Sequence, residues 1–208
     1  MVLEFKFRNN RKEYLIKCTH ILSSITFWTF TTISPMHTSE TSQLLMDLGI
    51  TSEIISDRKL LQYEEADSLV LAETGEDGRE HLLISDAASA WRELRGAAEV
   101  DGEKIFVVSA FRTISRQAEI ISNKIECGIN IDEILLVCAP PGYSEHHTGR
   151  ALDVSTPGVE SLNEEFENTT AFKWLQSNAD KFSFSLSYPR GNAAGYNYEP
   201  WHWCFNAT

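Results

Sequence analysis

Near the middle of the chain, PPGYSEHHTGRALDVS (140–155) sets two adjacent histidines, His146 and His147, between a turn-forming Pro-Pro-Gly and a short apolar run that carries one acid, Asp153. Imidazole nitrogens and a carboxylate are donors that zinc takes. A catalytic zinc has three such protein ligands and keeps its fourth position for water. The third donor must come from elsewhere, and YEPWHWCF (198–205) supplies His202, with Glu199 three residues earlier as a free carboxylate. The spacing leaves open which of His146 and His147 binds the metal. Each fragment alone is weak, since a His pair after a turn is ordinarily solvated and Glu199 with His202 makes an ordinary pair at a sheet edge. The combination, with Gly149 between the first two donors, points to a metal. A cation stands apart from these residues in SAFRTISRQ (109–117), where Arg112 offers a planar fork of donors suited to a carboxylate or a developing oxyanion, and Gln117 follows about one helical turn on.

The elements around these residues read as a mixture. DGREHLL (77–83) closes a hairpin, and Ser85 or Asp86 is expected to cap a helix with Ala87, Ala90, Trp91, Leu94 and Ala98 on one face. KIFVVSA (104–110) is a β-branched run expected as a buried strand. A helix from about Ser115 carries Ala118, Ile121 and Ile125, with Gly128 as its C-terminal cap. After the histidines, Leu152 and Val154 alternate with Ala151, Asp153 and Ser155, so Asp153 lies opposite the apolar side among small neighbours. A third helix runs over 170–179. FSFSLSYP alternates Phe182, Phe184, Leu186 and Tyr188 with serines as a half-buried strand, and the aromatic-rich YEPWHWCF is the last strand, its Trp201 and Trp203 serving packing. Helices and antiparallel strands in this order, without repeated βαβ units, give an α+β fold: a small antiparallel sheet flanked by helices. One difficulty is geometric, because in a straight strand Glu199 and His202 would point to opposite faces unless Pro200 bends the backbone.

Composition narrows the function classes. The chain has 208 residues, 42% of them hydrophobic, and a formal net charge of −12, so one core is the economical reading and a phosphate-tracking surface is excluded; no nucleic acid is expected as partner. The four cysteines, Cys18, Cys127, Cys138 and Cys204, form no CxxC pair and read as small apolar residues. A Cys127–Cys138 disulfide would need an oxidising compartment. ILSSITFWTFTTIS (21–34) imitates a signal peptide, but hydroxyl residues interrupt it, and it is too short and polar for a membrane span. Residues 1–35 are expected to be an extension whose deletion leaves a soluble, folded domain over 36–208.

The strings SAFRTISRQ, PGYSEHHTGRALD and FSLSYPRGNAAGYNYEPWHW resemble the VanY-type D-alanyl-D-alanine carboxypeptidases, zinc peptidases that trim peptidoglycan stem peptides, over roughly residues 80 to 205. The resemblance implies the hedgehog/DD-peptidase fold. Ser144, His146, Gly149, Ala151 and Asp153 fill its SxHxxGxAxD motif, which implies one Zn2+ per chain on His146, Asp153 and His202, with His147 a neighbour. Glu199 matches the catalytic base. Arg112 and Gln117 match the SxxRxxxxQ pattern, whose Arg engages substrate, and Ser144 joins them as a substrate-binding position. The implied activity is release of the C-terminal D-Ala from stem peptides. An L,D-carboxypeptidase, an endopeptidase on the same polymer, or a non-catalytic zinc-stabilised binding domain are the alternatives, and Glu199 with Arg112 argues against the last. The family implies the cell envelope or periplasm, whereas the poor export signal suits cytoplasmic handling of recycled wall peptides. Ala110 and Phe111, where Gly and Tyr are frequent, and Cys204, where a basic residue is common, depart from the pattern.

Overall fold

A computed structural model describes residues 2–9, 12–19 and 38–206. Strands β1 (Val2–Asn9) and β2 (Lys12–Thr19) pair antiparallel as a two-stranded sheet of their own. The signal-like stretch 21–34 lies outside the described residues. Helices α1 (Thr38–Asp47) and α2 (Ser52–Asp57) follow, then an antiparallel hairpin of β3 (Val70–Thr74) and β4 (Glu80–Leu83). Helix α3 (Ser85–Val100) turns Ala87, Ala88, Trp91, Leu94 and Ala98 inward, the helical spacing of a core-facing stripe. Its start differs from expectation. Ser85 and Asp86 lie inside the first turn and do not cap it, because extended Ile84 occupies the cap position without a side-chain bond and its N–H is held by the Gly149 carbonyl at 2.9 Å.

Strand β5 (Phe106–Ser109) leads through a four-residue connection into helix α4 (Ile114–Glu126), where Thr113 caps the helix by accepting the Arg116 N–H at 3.1 Å. Gly128, at φ +82°, stops α4, and the short α5 (Ile131–Ile134) follows. The 3-10 turn Glu145–Thr148 precedes β6 (Ala151–Ser155), which is buried along its whole length. Helix α6 (Thr170–Asn178), capped by Thr169, is followed by β7 (Phe184–Leu186) and β8 (His202–Phe205). The last four strands form one antiparallel sheet in the order β5-β6-β8-β7.

The register of that sheet sorts its faces. Cross-strand partners Val107 with Val154 and Leu152 with Trp203 project into the main core, where α3 and α6 cover them with Trp91, Leu94, Phe172 and Leu175. Burying each such side chain stabilises the fold by about 1.5–3 kcal/mol. The next row, Ser109, Asp153 and His202, is therefore in line across three strands on the opposite face. The pairing shifts between Val107 and Ser109, a bulge that brings Ser109 into that row. A second cluster, Ile50, Ile121, Ile134 and Leu135, packs α4 against α5 and the end of α1.

Two strands are shorter than their sequence suggests. The FSFSLSYP ladder is confined to Phe184–Leu186, because Phe182 ends a 3-10 turn, Ser183 adopts φ +61°, and Tyr188 leaves to stack near Tyr196 and His202. Strand β8 begins only at His202, since the His202 N–H closes a turn onto the Glu199 carbonyl at 3.1 Å. Among the described residues no helix is long and apolar enough to cross a membrane.

Candidate metal centre and active site

Direct pairing of β6 with β8 makes Asp153 and His202 neighbours, and the 3-10 turn before β6 folds His146 back over them. His202 Nδ1 lies 3.0 Å from Asp153 Oδ1, and His146 Nε2 lies 3.2 Å from Asp153 Oδ2. One donor atom from each of the three residues lies within 4.8 Å of the others, and all three side chains are buried. His146 Nδ1 donates to the Ala110 carbonyl at 2.7 Å, which fixes its proton there and leaves the Nε2 lone pair facing inward. Two imidazole nitrogens and one carboxylate, buried and with their far sides tethered, fit the donor set of zinc.

His147 does something different. Its Nε2 accepts the Gly142 N–H at 3.1 Å and its Nδ1 donates to the Arg112 carbonyl at 2.6 Å, so both nitrogens are used on backbone and neither can take a metal. Burial foremost, with the Arg112 carbonyl opposing, holds its pKa down at about 4, consistent with a neutral clamp between two loops. The choice between the two histidines that spacing left open is thus made by backbone geometry. Gly149 is what allows the turn: at φ +64° a Cβ would come within 2.8 Å of Leu69 Cδ2 and 3.2 Å of the Ile84 nitrogen.

The turn over Glu199–His202 answers the strand difficulty, because it brings Glu199 to the His202 side, with Glu199 Oε2 3.9 Å from His202 Nδ1. Glu199 is buried, and burial, reinforced by the Asp153 charge against the opposing His202, lifts its pKa to about 8. A carboxylate in that range can hold and release a proton near neutrality. Burial works against the ionised form of Asp153, yet the charges and hydrogen bonds of His146 and His202 prevail and keep it well below the usual carboxylate range. For His202 burial favours the neutral ring, but hydrogen bonds to Asp153 and Glu145 prevail and hold its pKa up at about 10. Electrostatics that favour a proton there favour a metal cation too.

Arg112 sits in the β5–α4 turn, its N–H on the His146 carbonyl at 3.2 Å. Its guanidinium donates through Nη1 to Gln117 Oε1 at 2.8 Å and through Nη2 to Ser109 Oγ at 2.9 Å, and Nη2 is 3.9 Å from Asp153 Oδ2. Gln117 is itself buried and donates to the Ala139 carbonyl at 2.7 Å, so it stands behind Arg112 and aims it. Ser144, also buried, occupies the cap position of the 3-10 turn.

A family model described as D-alanyl-D-alanine carboxypeptidase (VanY) matches residues 80–208, which includes every one of these side chains. The chain belongs to the VanY family. Among curated proteins, YodJ of Bacillus subtilis is 38% identical over 128 residues, 60% of this chain and 46% of its own length. The chain spans about half the length of the curated relatives it matches. Among solved structures, the LdcB LD-carboxypeptidase superposes with a TM-score of 0.61 at 34% identity, over 68% of this chain and 69% of that one. A Zn(II) complex of a mutant VanY D,D-pentapeptidase gives a TM-score of 0.52 at 27% identity, over 66% and 78%.

The departures from the VanY pattern acquire local meaning. Ala110 contributes its carbonyl to His146, a role its side chain does not enter. Cys204 is two residues beyond His202 on β8; its thiol donates to the Phe205 carbonyl at 3.9 Å, and burial first, then the Glu145 charge, raises its pKa to about 12. Cys138 and Cys204 are free thiols, so the Cys127–Cys138 disulfide does not form. Glu145 is the neighbour of the site that sequence reasoning missed: its Oε2 lies 2.9 Å from His202 Nε2. Adjacency to His146 was the only signal, and a pairing with a residue 57 positions away is invisible to spacing.

Proposed function

We propose that this protein is a zinc-dependent carboxypeptidase that removes the C-terminal D-Ala from peptidoglycan stem peptides ending in D-Ala-D-Ala. The carrying observation is the buried convergence of His146, Asp153 and His202 with Glu199 beside them at 3.9 Å from His202. Held by His146, Asp153 and His202, the ion would supply a Lewis acid for the scissile carbonyl and would acidify a water. Glu199 is placed to take a proton from the attacking water and hand it to the leaving amine. Arg112, anchored by Ser109 and Gln117, directs its remaining donors to the substrate carboxylate or to the oxyanion. Ser144 and Gln117 contribute to binding, Gln117 through Arg112. A non-catalytic binding domain has no use for a buried base beside the metal.

A second reading is favoured by one observation. The LdcB LD-carboxypeptidase has the higher identity of the two solved structures, which supports an L,D-carboxypeptidase acting on a tetrapeptide. Products from tripeptide, tetrapeptide and pentapeptide stems, weighed by mass spectrometry with zinc present, separate the readings: D-Ala lost from pentapeptide supports D,D cleavage, loss from tetrapeptide alone supports L,D cleavage, and an internal cut supports an endopeptidase. The proposed place of action is the cell envelope or periplasm, with the cytoplasm as the alternative, to be decided by fractionation of cells carrying the full-length protein. Residues 36–208 are proposed as the catalytic domain and 1–35 as an extension.

A further inference from the structure

Glu145 opens the 3-10 turn that carries His146, but its side chain reaches the other ligand-bearing element, β8. It meets His202 Nε2 at 2.9 Å, the ring nitrogen turned away from Asp153, while Nδ1 is the nitrogen that converges with the other donors. The carboxylate is only 18% exposed and is not free to wander. The 3-10 turn and strand β8 therefore meet at one carboxylate.

We infer that Glu145 is a positioning residue of the metal centre, which acts through His202: it fixes the proton on Nε2, turns Nδ1 toward Asp153 and His146, and raises the basicity of the ligand nitrogen. The inference rests on the zinc reading above and assigns that site a residue beyond its three ligands and its base. Its physical ground is general, because a carboxylate on the far nitrogen of a ligating imidazole orients the ring and strengthens it as a donor. His146 receives the same service from a neutral carbonyl, that of Ala110, so the two histidines are held by acceptors of different charge. A structural contact only, which ties the turn to β8 and leaves the metal untouched, is the competing explanation.

The two explanations part in a zinc competition experiment. Zinc dissociation constants are measured against a chromophoric chelator for the full-length protein and for Glu145→Ala and Glu145→Gln, together with the melting temperature of each in EDTA. Glu145→Ala should weaken zinc binding by about 10–100-fold, the range found for such partners. Glu145→Gln keeps an oxygen that accepts the Nε2–H but loses the charge, so it should weaken binding by roughly threefold or more yet less than Ala. If Glu145→Ala does not fold, the nearly isosteric Gln variant decides by itself. A lowered melting temperature with dissociation constants within twofold of the unmutated protein would overturn the inference and leave the zinc reading intact. Failure of the unmutated protein to bind zinc would overturn both.

Discussion

Replacing His147 with Phe separates a ligand from a clamp. The ring is fully buried, and its loss orphans two backbone groups, the Gly142 N–H at 3.1 Å and the Arg112 carbonyl at 2.6 Å. An unsatisfied buried polar group costs about 1–3 kcal/mol, so the two together predict a loss of about 2–6 kcal/mol. That is a large share of the roughly 5–15 kcal/mol by which domains are stable. Urea unfolding reads the loss, and elemental analysis of the folded protein reads zinc. The expected result is a destabilised variant that still holds one zinc per chain, with turnover reduced because the Arg112 loop has lost its tether. His147→Gln, whose amide can both donate and accept, should recover part of the stability. Unchanged stability in His147→Phe, or loss of its zinc while His146→Ala keeps the metal, would refute the assignment of the two histidines.

Three further outcomes follow from the site and the fold. Glu199→Gln preserves size but removes the proton acceptor, so kcat should fall by about a hundredfold to ten-thousandfold with zinc retained; near-normal turnover would remove Glu199 from the role of base. Arg112→Lys keeps charge but loses the fork, so kcat/KM for a stem peptide with a free carboxyl terminus should drop far more than for its C-terminal amide. Equal losses on both peptides would assign Arg112 to the oxyanion alone. His81, buried beside its cross-strand partner Glu73, has its pKa lowered by burial first, against the Glu73 charge. Its unfolded form therefore binds a proton more readily, and its contribution to stability is full above an ordinary histidine pKa of about 6.5 and is lost as pH falls below that. His81→Gln should show a shallower fall in melting temperature between pH 7.5 and 5 than the unmutated protein; identical slopes would discount His81.

The parts of the molecule legible in the sequence are those with local periodicity or a strong motif. Trp91 and Leu94 marked α3, the alternation around Asp153 marked β6, and the resemblance to the VanY motifs named His146, Asp153, His202 and Glu199, which the fold brings together. What sequence left open depends on backbone direction and on distant pairing. Spacing does not distinguish His146 from His147, and a 3-10 turn ending at a left-handed Gly149 decides which faces inward; the cap expected at Ser85 or Asp86 moves to Ile84, whose N–H donates to the carbonyl of Gly149, 65 positions on. Glu145 carried no periodic signal at all. The run FSFSLSYP looked like a longer strand because its alternation continues past the point where Ser183 turns the backbone.

Zinc-loaded protein incubated with a purified pentapeptide stem, followed by mass spectrometry of intact substrate and product, tests the catalytic reading most directly. The expected record is a single product lighter by one alanine residue, with free D-Ala released. The product should vanish after chelation, return when zinc is restored, and be reduced at least a hundredfold in Glu199→Gln. An unchanged pentapeptide, or a product cut inside the stem, would contradict the assignment of His146, Asp153, His202 and Glu199 to a D-Ala-D-Ala carboxypeptidase centre.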